Sequence, residues 1–200
     1  MQRDNTTFAR KASLRAQALL ELENPVILET HGGYGRLFAR CYYGIPAGVV
    51  FEKNPDKAAR LAQQRPTWAV YEADCERALM LGVGSHLAIN FVDMDPYGEP
   101  WGVLDAFFDG HRPRVAKLVI VVNDDLRQGL RMGLAWKTRS MALTVERLGN
   151  RAVHDRYVEV CRTLVEDRAG RSDYRLAKWT AYYCGKAQAM THYAAVLEHK

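Results

Sequence analysis

No run in this chain of 200 residues approaches the roughly 18 consecutive apolar residues that a membrane-crossing helix needs, so no membrane partner is expected. The opening stretch, MQRDNTTFARK, has no apolar segment ahead of a cleavage site, and no secretory leader is expected. Cysteine is scarce: Cys41, Cys75, Cys161 and Cys184 lie far apart with no C-x-x-C pair, which fits neither a disulfide framework nor a zinc site. The histidines show no H-x-x-x-H or H-E-x-x-H spacing, so a metal is not expected. Together these absences point to the reducing cytoplasm. The chain also lacks internal repeats, low-complexity stretches and any Ser/Pro-rich linker.

What is present is an ordinary globular composition, 48% apolar and 26% charged, in a length that supports one core without staples. The basic excess is uneven. Residues 1–100 hold 11 basic and 12 acidic side chains, whereas residues 101–200 hold 17 and 11. Cations gathered in one half suit a polyanion on one face, although solvated decoration gives the same count.

Residues 6–22 place Phe8, Leu14, Leu19 and Leu22 near helical spacing, with Thr6 or Thr7 as cap, and predict an N-terminal helix within residues 1–24. From residue 25 to 200 a single domain is expected. Nearly continuous apolar runs occupy residues 25–30, 47–52, 68–72, 86–93 and 115–122, as in strands buried on both faces. Helical stretches at about 35–43, 55–65, 75–82 and 100–110 alternate with them. A charged helical region follows at 125–169. Apolar runs at 174–184 and 188–198, joined around Gly185, read as an antiparallel hairpin. The expected fold class is α/β, a mostly parallel sheet with that hairpin at its end.

In such a sheet, ligands bind beyond the carboxyl ends of the strands. The first strand ends in Glu29-Thr30-His31-Gly32-Gly33-Tyr34-Gly35, where Gly33 and Gly35 permit a tight turn and close backbone approach to a ligand. The second strand ends in Glu52, an acceptor for both hydroxyls of a ribose. After the third come Asp74, an acceptor for an adenine amino group, and its neighbour Cys75. The ordered set reads as an adenosine site, although Glu52 and Asp74 also suit helix caps. Phe38 stands where a dinucleotide fingerprint needs a small residue, and the Gly-Lys-Ser/Thr of a phosphate loop is missing. Glu29 would repel a pyrophosphate and suits a cationic ligand such as S-adenosylmethionine.

The fourth strand leads through Asp93 into Asp95-Pro96-Tyr97-Gly98. An exocyclic amine on a base is a poor nucleophile because its lone pair is delocalised. Asp95 and a backbone carbonyl near Pro96 can accept its two N–H bonds, and Tyr97 can stack on the base. The alternative is a Pro-Tyr-Gly turn that opens a helix.

This order of motifs resembles class I S-adenosylmethionine-dependent methyltransferases over residues 25–198. The DPYG element is similar to the (D/N/S)-P-P-(Y/F) motif of amino-group methyltransferases acting on nucleic acids. Asp93-Met94-Asp95-Pro96-Tyr97-Gly98 with Leu104-Asp105-Ala106 resembles tRNA guanine-N2 dimethyltransferases over residues 93–129. His31 departs from the family, whose first loop glycine it replaces. That tRNA family also carries a C-terminal RNA-binding region with no counterpart in a chain of this length.

The resemblance implies S-adenosyl-L-methionine as cofactor, held by Glu29, His31, Gly33, Gly35, Glu52, Asp74, Cys75 and Asp93. It implies catalysis by Asp95, Pro96 and Tyr97 and a base in nucleic acid as acceptor, RNA before DNA. Arg112, Arg114, Arg127, Arg131, Lys137 and Arg139 are the expected phosphate contacts. A protein or small-molecule acceptor, or a non-catalytic cofactor-binding subunit, remains the alternative. A partner subunit or homo-oligomer is left open.

Overall fold

The computed structural model describes residues 7–96, 98–133 and 135–200. Its strands are β1 (Ile27–Glu29), β2 (Gly48–Glu52), β3 (Ala69–Glu72), β4 (Phe91–Met94), β5 (Lys117–Asp124), β6 (Tyr174–Cys184) and β7 (Met190–His199). They form one sheet in the order β3-β2-β1-β4-β5-β7-β6. The first five are parallel, and β7 pairs antiparallel with both β5 and β6. The order reverses between β1 and β4, so the loops after those two strands flank the switch-point crevice. The expected α/β class and terminal hairpin are therefore present.

The strand expected over 86–93 is shorter. Asn90 turns its amide to the entry of β1, accepting from the Val26 N–H at 2.7 Å and donating to the Asn24 carbonyl at 2.9 Å. Ladder pairing of β4 then begins at Phe91.

The helices are α1 (Phe8–Leu19), α2 (Pro55–Gln64), α3 (Cys75–Met80), α4 (Trp101–Asp109), α5 (Leu126–Met132), α6 (Arg139–Leu148), α7 (Asn150–Asp155) and α8 (Tyr157–Arg171), with a π-helical turn at Phe38–Tyr42. The region expected as one helical stretch over 125–169 is thus four helices. Gly133 (φ +66°) and Gly149 (φ +81°) adopt left-handed backbone there and make two of the breaks, and Arg156, with non-helical backbone at φ −116° and ψ 27°, makes the third.

Two apolar layers sandwich the sheet. On one face Leu28, Val92, Ile120 and Val122 pack with Trp101, Leu104, Tyr157 and Val165 from α4 and α8. On the other, Ile27, Phe91, Val119 and Val121 pack with Leu14 and Ala18 of α1, Phe38, Tyr42 and Leu61. Alternate residues of each central strand therefore face opposite layers, which is why these strands read as continuous apolar runs. The N-terminal helix is part of this second layer. Thr7 occupies its cap position but makes no capping bond, its hydroxyl lying 4.0 Å from Met190 Sδ. Thr6 lies outside the described residues.

Candidate functional site

The loop after β1 is shaped by three glycines for two reasons. Gly33 and Gly35 have φ of +55° and +74°, which other residues adopt only with strain. Gly32 is needed for space: a Cβ there would stand 2.5 Å from Leu61 Cδ1 and 2.6 Å from Val50 Cγ2. The loop's Gly33 N–H donates to Glu52 Oε2 at 2.8 Å, and the Asn54 N–H donates to Glu52 Oε1 at 2.9 Å. Glu52 thus joins the glycine loop to the carboxyl end of β2. The helix cap in this segment is Asn54, whose Oδ1 accepts from the Lys57 N–H at 3.1 Å.

Asp74 is exposed and caps α3, its Oδ1 accepting from the Arg77 N–H at 3.1 Å. Cys75 follows as a buried first residue of that helix, and burial pushes its thiol up to about 12. His31 bridges the two loops. Its Nδ1 is 2.8 Å from Thr30 Oγ1 and its Nε2 is 3.6 Å from Cys75 Sγ. Burial holds the imidazole below its usual pKa even though Asp95, Glu52, Asp93 and Asp74 pull it upward. Four carboxylates from the ends of β2, β3 and β4 therefore surround one imidazole, in a crevice with an excess of negative charge.

Asp95 follows β4 directly and is partly exposed. Its Oδ1 accepts from Lys11 Nζ at 2.6 Å, an ion pair across the front of α1. Pro96 and Gly98 are partly buried beside it. Tyr97 lies outside the described residues. The two crevice loops are stitched together at their roots, where the Thr30 N–H and hydroxyl both donate to the Asp93 carbonyl, at 2.9 and 3.1 Å.

Two of the expected cofactor residues have internal partners. Asp93 is 1% exposed, and its carboxylate accepts from Arg15 Nε at 2.8 Å, from Arg15 Nη2, and from Tyr42 Oη at 2.7 Å. With its amide oxygen turned to the same guanidinium, Asn123 accepts at 2.6 and 2.9 Å. Glu29 is buried on the same face and pairs with Arg65 Nη1 at 2.5 Å. The Arg65 guanidinium lies over the Phe38 ring at 4.2 Å. Burial nevertheless pushes the Glu29 carboxyl up to about 7, with Arg65 opposing. The cation that Glu29 attracts is thus supplied by the chain itself. Helical spacing placed Leu14 toward the core, but nothing in the local pattern marked Arg15 or Arg65 as buried. The signal available was the unpaired acid at the same depth on each of two adjacent strands.

The basic residues are divided among several places. Arg112 and Arg114 precede β5 and so lie at the amino edge of the sheet, opposite the crevice. Arg112 stacks on Phe107 at 5.1 Å, and Arg114 pairs with Asp173 at 2.6 Å. Eight strand residues separate them from the edge where Asp95 sits, so the structure does not bring these two expected contacts together with the others. Arg127 is an internal strut, donating to the His154 and Gln188 carbonyls at 3.2 and 2.8 Å and lying 4.0 Å over the Tyr183 ring. Arg131, Lys137 and Arg139 are exposed. Glu99, four residues beyond Asp95, clasps the start of α6 by accepting from the Lys137 N–H at 2.6 Å, the Thr138 N–H at 3.0 Å and the Thr138 hydroxyl at 2.7 Å. Lys137 and Arg139 thereby stand beside the Asp95 loop. Among the described residues, no group of three or more His, Cys, Asp or Glu side chains is arranged to hold a metal ion, and no helix is long and apolar enough to cross a membrane.

No family model matches the sequence, and no curated protein matches it. The fold does match solved structures. Trm1 of Pyrococcus horikoshii, determined with S-adenosyl-L-methionine, superposes with a TM-score of 0.71 over the whole chain at 13% identity. This chain spans 56% of the length of that one. TYW2 of M. jannaschii in complex with AdoMet gives 0.59 at 16% identity, covering 100% of this chain and 79% of its own. The N-methyltransferase NodS of Bradyrhizobium japonicum gives 0.58 at 12% identity, with 98% of each chain covered. At these identities the likeness defines the class of fold: a Rossmann-like, seven-stranded methyltransferase architecture.

Proposed function

We propose that this chain transfers a methyl group from S-adenosyl-L-methionine to an exocyclic amino group of a base in nucleic acid, RNA in the first instance. The observation that carries the reading is the meeting of two loops at the switch point of the sheet. The glycine loop anchored by Glu52 and the Asp95-Pro96 loop are joined through Thr30 and Asp93 and share one acid-rich crevice around His31. That donor set fits the cofactor: carboxylates for a ribose and an amino group, a left-handed glycine turn for close backbone approach, and negative charge for a cation. Three of the similar structures were determined with this cofactor or its demethylated product.

Glu52, Gly33 and Gly35 would hold the ribose and methionine end, and Asp74, Cys75 and His31 the adenine side. Asp93 and Glu29 act one layer below, as buried anchors of the strand ends. The cofactor supplies a sulfonium-activated methyl group, so the protein's task is placement and exclusion of water. Asp95 and the carbonyl at Pro96 accept the two amine N–H groups and aim the nitrogen lone pair across the crevice. Lys11 holds Asp95 Oδ1 and so fixes the direction in which the carboxylate faces. A base within a duplex must be unstacked to reach this loop, at a cost of about a few kcal/mol.

The test is a screen for labelled methyl transfer from S-adenosylmethionine to tRNA, rRNA, DNA and protein extract. Label in RNA is the expected result. Label only in protein or small molecules refutes the nucleic-acid acceptor, and no transfer to any acceptor refutes the activity.

A further inference from the structure

Two contiguous hollows of about 630 and 560 Å³ lie between α5, α7 and the turn joining β6 to β7. They share Arg131, Met132 and His154. Arg151 completes one wall and Lys186 the other, and both are exposed. The acid in the furrow, Asp155, is held by His154 Nδ1 at 3.0 Å. Met132 is 67% exposed and gives the floor an apolar spot.

The walls are fixed in place. Arg127 ties α5 to α7 through the His154 carbonyl and to the β6–β7 turn through the Gln188 carbonyl. That turn holds Ala187 and Gln188 at φ +52° and +54°, a backbone that non-glycine residues adopt at a cost. The strain maintains a projecting turn that carries Lys186. Hydrogen bonds or ion pairs engage several other surface arginines: Arg114 with Asp173, Arg156 with Glu159, Arg162 with Glu166, and Arg175 with Glu198. In the furrow, three cations on three different elements instead line one concave surface.

The furrow also lies at the correct edge of the sheet. α5 leaves the carboxyl end of β5, and Asp124 pairs with Thr191 at the start of β7, so the β6–β7 turn sits at that same edge. Asp95 leaves the carboxyl end of β4, the neighbour of β5. At about 4.8 Å per strand, the furrow begins roughly 10 Å from Asp95. Phosphates spaced about 3.4 Å apart along a strand cover that distance in roughly three nucleotides.

We infer that the furrow lined by Arg131, Arg151 and Lys186 is the phosphate-binding track that delivers a nucleic-acid strand to Asp95. The inference rests on the nucleic-acid reading above and adds to it a surface that the sequence did not group. Arg131 and Arg151 belong to the basic run that follows the Asp95 loop in sequence, whereas Lys186 joins them only in three dimensions.

The experiment compares two charge-reversed triple variants: Arg131→Glu/Arg151→Glu/Lys186→Glu, and a control of equal charge change, Arg60→Glu/Arg171→Glu/Arg175→Glu, on exposed positions elsewhere. Affinity for a fluorescent RNA stem-loop is read by anisotropy at about 50 and 200 mM salt. Calorimetry with S-adenosylmethionine and circular dichroism accompany each variant. The furrow variant is expected to bind RNA at least about tenfold more weakly, with a log–log salt slope shallower by about two to three. Its cofactor affinity should be unchanged, and the control should stay close to the native protein. Equal loss in the two variants, or no loss in the furrow variant, overturns the track while leaving RNA as substrate. Failure of the native protein to bind RNA, together with label in another acceptor, overturns the nucleic-acid reading and the track with it. If the furrow triple does not fold, the single Lys186→Glu variant, on an exposed turn, decides by the same readings with a smaller expected loss.

Discussion

Arg15 stabilises the root of the crevice from inside the protein. Its guanidinium is 0% exposed and faces Asp93 and Asn123. Replacing it by alanine leaves Asp93 as a buried, uncompensated charge, and Arg15→Ala is expected to lose about 3–5 kcal/mol of stability in a denaturant titration. Glu52 works differently, because its oxygens reach backbone N–H groups at the crevice wall. Losing charge-assisted bonds to a ligand costs about 1.5–3 kcal/mol, so Glu52→Ala should weaken S-adenosylmethionine binding by roughly tenfold or more in calorimetry. The residues whose chemistry is exposed at strand ends, Glu52, Asp74 and Asp95, were legible in the sequence because strand periodicity alone fixes their position. Asp93 and Glu29 look the same in sequence but differ in the structure. Their partners Arg15 and Arg65 sit 78 and 36 residues away, and local pattern carries no information over such distances.

Among the elements, β5 and α8 share a buried titrating group. Asp124 ends β5, is 1% exposed, and accepts from Tyr157 Oη at 3.3 Å, with no cation paired to it among the described residues. Burial pushes its carboxyl up to about 8. The native state therefore keeps a proton that the unfolded chain, with an ordinary carboxyl near 3.8, releases earlier. The stability that Asp124 supplies is complete below about pH 4 and is lost as pH rises toward about 8. Asp124→Asn keeps an acceptor for Tyr157 and removes the ionisation. Its melting temperature should match the native protein near pH 4 and exceed it increasingly toward pH 8, as the native protein loses on the order of a few kcal/mol of stability. A constant difference across that range would show that Asp124 does not titrate there. The strand and hairpin pattern was readable because two-faced burial leaves continuous apolar runs. The split of 125–169 into four helices was not, since it turns on left-handed backbone at Gly133 and Gly149 and on packing of α5 against α7.

For the whole molecule, charge and architecture divide along the sheet's two edges. The carboxyl edge carries the acidic crevice, the Asp95 loop, Lys137 and Arg139 beside it, and the furrow two strands away. Arg112 and Arg114 belong to the opposite edge. Counting charge by halves of the sequence located the basic excess but not its distribution, because the strand direction of β5 carries consecutive stretches of chain to opposite edges. The N-terminal helix supplies Arg15 to Asp93 and Lys11 to Asp95, so it helps build the root of the crevice.

Transfer of a labelled methyl group from S-adenosylmethionine to RNA, measured for the native protein and for Asp95→Ala alongside cofactor binding, tests the assignment most directly. The native protein should label RNA, and Asp95→Ala should lose that transfer by a factor of about 100 or more while binding the cofactor nearly as well. Undiminished transfer by Asp95→Ala, or a folded native protein that does not bind the cofactor, would contradict it.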